Sequence, residues 1–352
     1  MAEPASPGHR LDGIDVMRAL AALGVFLFHL NIGLPADTPG LLGAWRWVWQ
    51  HGHLGVPVFF VVSGLCIGLS WQRAPGAFAF VRARARRIFP PYWTSLGLIA
   101  LVALAARLLT GVNCVATFPR TPGAIAATGL LFTAPLSSVP ALSGVYWSLS
   151  CEIVFYLIMG GLLLVRPAHR LTTLVAWHAL ACGATLVDLP AGGWATPLHL
   201  WPLFGTGLAL ALRDRAPLVA GTLLGLSALH AGLHFLRGSL TDYWCAASVA
   251  ILGLVLFAGL RSLRWPRLLV GLGTISYSVY IIHWTIADPV LGRLLRPSAD
   301  LPGLEFGRQF VVLTVTLAAC ALFYRWFEKP WIGRPVALAP FVPSAAATTP
   351  RS

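Results

Sequence analysis

Hydrophobic positions along the 352-residue chain gather into long segments joined by short polar connections. A helix needs roughly 17 to 25 mainly apolar residues to cross the ~30 Å hydrocarbon layer of a bilayer. About ten segments meet this requirement, near 14–31, 54–71, 92–110, 146–165, 171–188, 197–212 (a short one), 217–236, 243–260, 268–291 and 309–326. The stretch 123–136 is also apolar, but it is brief and bracketed by Pro122 and Pro135. It is predicted to be a re-entrant or interfacial piece of the loop 111–145, because irregular backbone survives at depth only where protein or water satisfies it. The pattern predicts an all-α polytopic membrane helix bundle over residues 1–334, with no soluble domain appended and no evident internal repeat. The Pro- and Ala-rich end, 335–352, reads as a flexible cytosolic tail.

Composition strengthens this reading. Hydrophobic residues make up 57% of the chain and charged ones 11%, against about 25% charged in soluble proteins. Mean hydropathy is +0.76. A soluble enzyme, a disordered chain and a secreted disulfide scaffold are excluded. The net charge of +13 arises from 25 Lys and Arg against 12 Asp and Glu, and its placement orients the bundle. With the N-terminus in the cytosol, 17 of the 25 basic residues fall on the inner side and 6 on the outer. That asymmetry predicts both termini inside. The polar start MAEPASPGHRLDGID reads as a cytosolic tail and not as a cleaved signal. Cys66, Cys114, Cys151, Cys182, Cys245 and Cys320 lie far apart without a CxxC, so neither a disulfide framework nor a zinc site is expected. His51 and His53 form an HGH in an expected outer loop, with no nearby carboxylate to complete a metal site.

Ionisable side chains inside spans are costly, and each is a functional candidate. Arg18 and His29 are eleven residues apart in the first span. Eleven steps of about 100° return to within ~20° of the start, so both project from one face, ~16 Å apart along the axis. Asp15, one turn before Arg18, can partner its guanidinium. Arg18 snorkelling to the headgroups and His29 serving as a helix-packing group is the competing reading. In GVPVFFVVSG, Gly55, Ser63 and Gly64 allow close helix approach. In FVRARARRIFPPY, Arg84 and Arg87 are three apart and on a helix present two forks to one anion, such as a cofactor phosphate. A positive-inside stop signal fits the same arginines. Glu152, about two turns into the fourth span, needs a partner such as His29 or an arginine. His283 is a second intramembrane histidine, with Asp288 about one turn beyond it.

Together these segments resemble the membrane acyltransferase 3 family of bacterial O-acyltransferases. The matching runs are LDGIDVMRALAALGVFLFH from Leu11 to His29, the GVxxFFVxSG helix and RxxRIxPxY from Arg84 to Tyr92. They continue with WSLSCE from Trp147 to Glu152, ISYSxYxxH ending at His283, and Glu328, Lys329 and Pro330. The resemblance implies transfer of an acyl group, usually acetyl, from cytosolic acyl-CoA to a hydroxyl of a glycan, glycolipid or similar acceptor at the bacterial inner membrane. It maps the family's essential histidine and arginine onto His29 and Arg18, and its RxxR pair onto Arg84 and Arg87. Where many members carry a second carboxylate, this chain has Ile153. The hydrolase-like domain fused to some relatives is not expected here.

The resulting assignment gives catalysis to His29, Arg18 and Glu152, and donor binding to Arg84, Arg87, Arg18 and Tyr92. Trp147, Tyr277 and His283 take the acceptor side, and no metal is expected. Acetyl-CoA is the expected co-substrate, entering from the cytosol with its pantetheine arm passing Arg18 to bring the acyl carbonyl near His29. Glu152 or His283 would orient that imidazole or line the acceptor side. His29 as base for the acceptor hydroxyl and His29 as an acylated nucleophile both fit. A proton-coupled transporter using Arg18, His29, Glu152 and His283 as a relay is the alternative function.

Overall fold

A computed structural model describes residues 9–111, 118–184, 193, 195–237, 265–292, 294–295 and 301–332. Among the described residues the chain is helical, with no strand. In order these are α1 (His9–Asn31), α2 (Gly40–Trp49), α3 (Gly55–Trp71), α4 (Ala77–Thr110), α5 (Pro122–Gly129) and α6 (Tyr146–Leu162). Then follow α7 (Arg170–Ala184), α8 (Ala195–Leu212), α9 (Pro217–Leu236), α10 (Arg267–Thr274), α11 (Ser276–Ile286) and α12 (Pro302–Phe323).

Among the described residues, five stretches are long and apolar enough to cross a bilayer: Asp12–Asn31, Gly40–Trp71, Ala77–Leu109, Pro217–Leu236 and Pro302–Trp331. A sixth forms if α10 and the helix after it, bent by 71°, count as one span. The other expected spans stand as follows in the structure. Helices α6 and α7 have 17 and 15 residues, at and below the lower end of the roughly 17–25 that cross the hydrocarbon. Helix α8, at 18 residues, is buried along most of its length, so its surroundings are protein. The expected span at 243–260 lies outside the described residues, as does the tail 335–352.

Small residues set the crossing of α3 and α8. A Cβ on Gly207 of α8 would stand 1.9 Å from the Val61 carbonyl oxygen of α3, and one on Gly64 would stand 2.1 Å from that of Phe204. The two backbones therefore touch where one helix of the pair carries a glycine, the usual way membrane helices gain packing without a hydrophobic drive between them. Gly273 in α10 does the same for α1, where a Cβ would meet the Asp15 carbonyl. The other end of α1 is tied by a buried polar chain. Asn31 and Gln309 exchange amide hydrogen bonds, and Gln309 also accepts from Trp45 Nε1 at 2.9 Å and donates to Glu305 at 2.8 Å. Glu305 is paired in turn with Arg308.

Helix α4 is 34 residues long, ~50 Å at 1.5 Å per residue, so it exceeds the ~30 Å hydrocarbon layer. Arg82 and Arg86 are exposed while Arg84 and Arg87 turn inward. The piece 123–136 does not cross. Helix α5 has eight residues, about 12 Å, and begins with Thr121 accepting from the Ala124 N–H and Pro122 in the first turn. Its end is anchored to α4 by the Tyr92 hydroxyl on the Thr128 carbonyl and by the Trp93 indole on that of Gly129.

Candidate active site

Helices α1, α3, α4, α6 and α11 enclose two abutting cavities. The first, about 150 Å³, is walled by Arg18, Ser63, Arg84, Arg87, Ser148, Glu152, Tyr156 and Tyr277 among apolar neighbours. The second, about 350 Å³, is walled by Phe28, His29, His53, Leu54, Pro57, Val145, Trp147 and Leu200. Val56, Phe60 and Tyr280 belong to both walls. Arg18 thus lines the first cavity and His29 the second, and these three side chains mark where the two cavities meet.

His29 is held by His283. The His29 Nδ1 and His283 Nε2 atoms are 2.9 Å apart, and the two rings are nearly parallel at 19°. His283 Nδ1 lies 2.8 Å from the Val279 carbonyl and 3.0 Å from that of Tyr280. Two carbonyl acceptors require an N–H at that position, so His283 Nε2 carries a lone pair. It must then receive the Nδ1–H of His29, which leaves His29 Nε2 as a lone pair. The network thereby assigns both tautomers, and Trp284 packs edge-on against His29 with ring centres 4.6 Å apart. His283 is fully buried.

The first cavity gathers three guanidiniums. Arg18 sits 3.5 Å from Asp15. Arg84 has its Nε buried without a hydrogen-bond partner. Arg87 is attracted by Glu152 and Glu328. Glu152 faces this cavity, where its Oε1 accepts from the Ser63 and Tyr156 hydroxyls, each at 2.5 Å. Such an enclosure of arginines with one half-buried carboxylate suits a polyanion beside the arginines. Among the described residues no group of His, Cys, Asp and Glu side chains could hold a metal ion.

The remaining candidates separate by position. Tyr277 walls the first cavity and donates its hydroxyl to the Ile88 carbonyl at 3.1 Å. Trp147 walls the second. Tyr92 is almost wholly buried, its ring edge-on to Tyr146 and its hydroxyl engaged by Thr128. Residue-by-residue reading assigned Ser63 only to close packing and gave no task to Tyr280, whose hydroxyl pairs with Ser148 at 2.5 Å. The available signal was a hydroxyl in an otherwise apolar helix.

Over residues 11–325 the chain matches the family described as "Acyltransferase domain", and it belongs to that family. It is similar to "Exopolysaccharide production protein ExoZ" of Rhizobium meliloti (strain 1021), 27% identical over 80% of this chain and 90% of that one. It is also similar to "Acyltransferase MdmB" of Streptomyces mycarofaciens, 27% identical over 94% and 95% of the two chains. "Nodulation protein 10" of Rhizobium leguminosarum bv. viciae is 30% identical over 55% of this chain and 53% of its own. No solved structure matches the chain significantly. With its long apolar helices, the protein is a multi-pass membrane acyltransferase.

Proposed function

We propose that the protein moves an acyl group, acetyl in the simplest case, from cytosolic acyl-CoA to a hydroxyl of a glycan, glycolipid or similar acceptor at the bacterial cytoplasmic membrane. The observation that carries this reading is the His29–His283 pair, a neutral imidazole with its Nε2 lone pair available, beside a cavity lined by three arginines. Arg84 and Arg87 grip the donor's phosphates, and Arg18 guides the pantetheine arm. Glu152, held by Ser63 and Tyr156, balances the arginine charge and accepts from the arm's amide groups. The acyl carbonyl passes the Val56, Phe60 and Tyr280 wall to reach His29.

There the acceptor O–H gives its proton to His29 Nε2 as its oxygen bonds to the thioester carbon. The carbonyl electron pair moves to oxygen and returns, the C–S bond breaks, and the coenzyme thiolate takes the proton from His29. His283 is a positioning residue that fixes the His29 tautomer. A glycan acceptor is supported by the similarity to an exopolysaccharide production protein. Membership of the acyltransferase family favours transfer over proton-coupled transport.

Purified protein in nanodiscs tests the reading by thiol release from acetyl-CoA and by calorimetric binding of CoA. His29→Ala is expected to lower thiol release by about 10²- to 10⁴-fold, the usual worth of a general base, without weakening CoA binding. Arg84→Gln with Arg87→Gln is expected to weaken CoA binding at least ~10-fold, since each charge-assisted bond is worth about 1.5–3 kcal/mol. Arg82→Gln with Arg86→Gln, on the exposed face, is expected to leave it unchanged. Equal loss from both arginine pairs would reduce the clamp to a general surface charge.

A further inference from the structure

Helix α11 has 11 residues, starts at the 71° bend after α10 and runs on into a π-helical turn at Ala287–Gly292, so α10 does not extend it as a straight rod. Its orientation depends on side-chain ties, and it carries His283. One tie comes from Glu328, in the π-helical turn Tyr324–Glu328 that follows α12. This carboxylate is fully buried, and its Oε2 accepts from both the backbone N–H of Ser278 at 3.1 Å and the Ser278 hydroxyl at 2.5 Å. Ser278 is the third residue of α11, where backbone N–H groups lack an acceptor within the helix and the helix dipole favours a negative charge. A buried carboxylate also needs positive company. Arg87 and Arg18 attract it from the donor cavity. The neighbouring Tyr277 binds the Ile88 carbonyl next to Arg87. The first turn of α11 is therefore fixed against the arginine-bearing helix, and His283 stands five residues further on, about 7.5 Å along the axis.

We propose that Glu328 is a positioning residue for acyl transfer: by capping the first turn of α11 it sets where His283 holds the His29 imidazole. The inference rests on the function proposed above for His29. It assigns Glu328 and Ser278 to the acid–base half of the reaction, although both lie toward the donor cavity. The bond and not the charge on Glu328 is the effective link to His29, so an amide oxygen at the same place can serve.

The test compares Glu328→Ala, Glu328→Gln and Ser278→Ala in the full chain in nanodiscs, using thiol release from acetyl-CoA and mass-spectrometric carbethoxylation of His29 by diethyl pyrocarbonate. Glu328→Ala and Ser278→Ala are expected to lower kcat about tenfold or more, as misplacement of a reacting group does, with the donor KM within about threefold. Both are expected to change the His29 carbethoxylation rate, and Glu328→Gln is expected to restore most of kcat. Wild-type kcat in the two alanine variants would overturn the inference. So would a Gln variant as impaired as Ala, or a loss that merely follows the melting temperature with unaltered kcat per folded molecule. A wild-type protein that releases no thiol would overturn the transferase reading, while the carbethoxylation rates would still decide whether Glu328 positions His29.

Discussion

At the scale of single residues, the pairing of His29 with His283 makes a quantitative expectation available. If His283 acts only by holding His29 in one tautomer, its contribution vanishes once His29 is gone. His283→Ala is expected to lower kcat by about 10- to 100-fold, the range seen when an orienting partner is lost. The double variant His29→Ala with His283→Ala is expected to be no slower than His29→Ala alone, because residues acting as a unit are not additive. Thiol-release kinetics on the four proteins closes this cycle. Additive losses would instead give His283 a task independent of His29, such as contact with the acceptor. The burial of His283 and the engagement of both its nitrogens argue against that outcome.

At the scale of helices, the α3–α8 crossing is where one added methyl has nowhere to go. Gly207→Ala places a Cβ against backbone on both the Val61 and Leu65 sides, so the helices must separate. The expected destabilisation is ~1–3 kcal/mol, as for other overpacked interiors. Gly225→Ala in α9, where a Cβ meets nothing within 4 Å, should be neutral or slightly stabilising. Melting of both variants in detergent against wild type checks this. These helices also mark what could be read without coordinates. Helix α1 was legible because Arg18 and His29 share one face of one element, and local periodicity fixes that relation. The three-residue spacing puts Arg84 and Arg87 on one face in the same way, but does not fix which way that face turns, since the exposed Arg82 and Arg86 share a face as well. The His29–His283 contact joins residues 254 apart, and no local pattern encodes which of two intramembrane groups, Glu152 or His283, reaches His29. The α10–α11 break was hidden too, because the apolar run continues unbroken through Ile275 and hydropathy is blind to a bend. Helix α2 escaped notice because its Pro39 and Gly40 start resembles a loop and its Trp45, Trp47 and Trp49 resemble an interfacial belt.

At the scale of the whole molecule, the function depends on which side of the bilayer each cavity meets. The arginine cavity lies toward the N-terminal half of α1 and the first turns of α4, and the His29 cavity toward the opposite end of α1. The proposed function puts the first of these sides, where basic residues concentrate, in the cytosol with the acyl-CoA pool. On that proposed orientation the His29 cavity faces the outer leaflet, where an acceptor would arrive without meeting the donor pool. Both Arg82 and His51 are exposed, so cysteines at these positions report the two sides. In a background with the six native cysteines replaced, His51→Cys is expected to react with a membrane-impermeant maleimide in intact spheroplasts. Arg82→Cys is expected to react only after permeabilisation. The reverse pattern would face the three arginines away from the coenzyme supply, and acyl-CoA could then no longer be the donor.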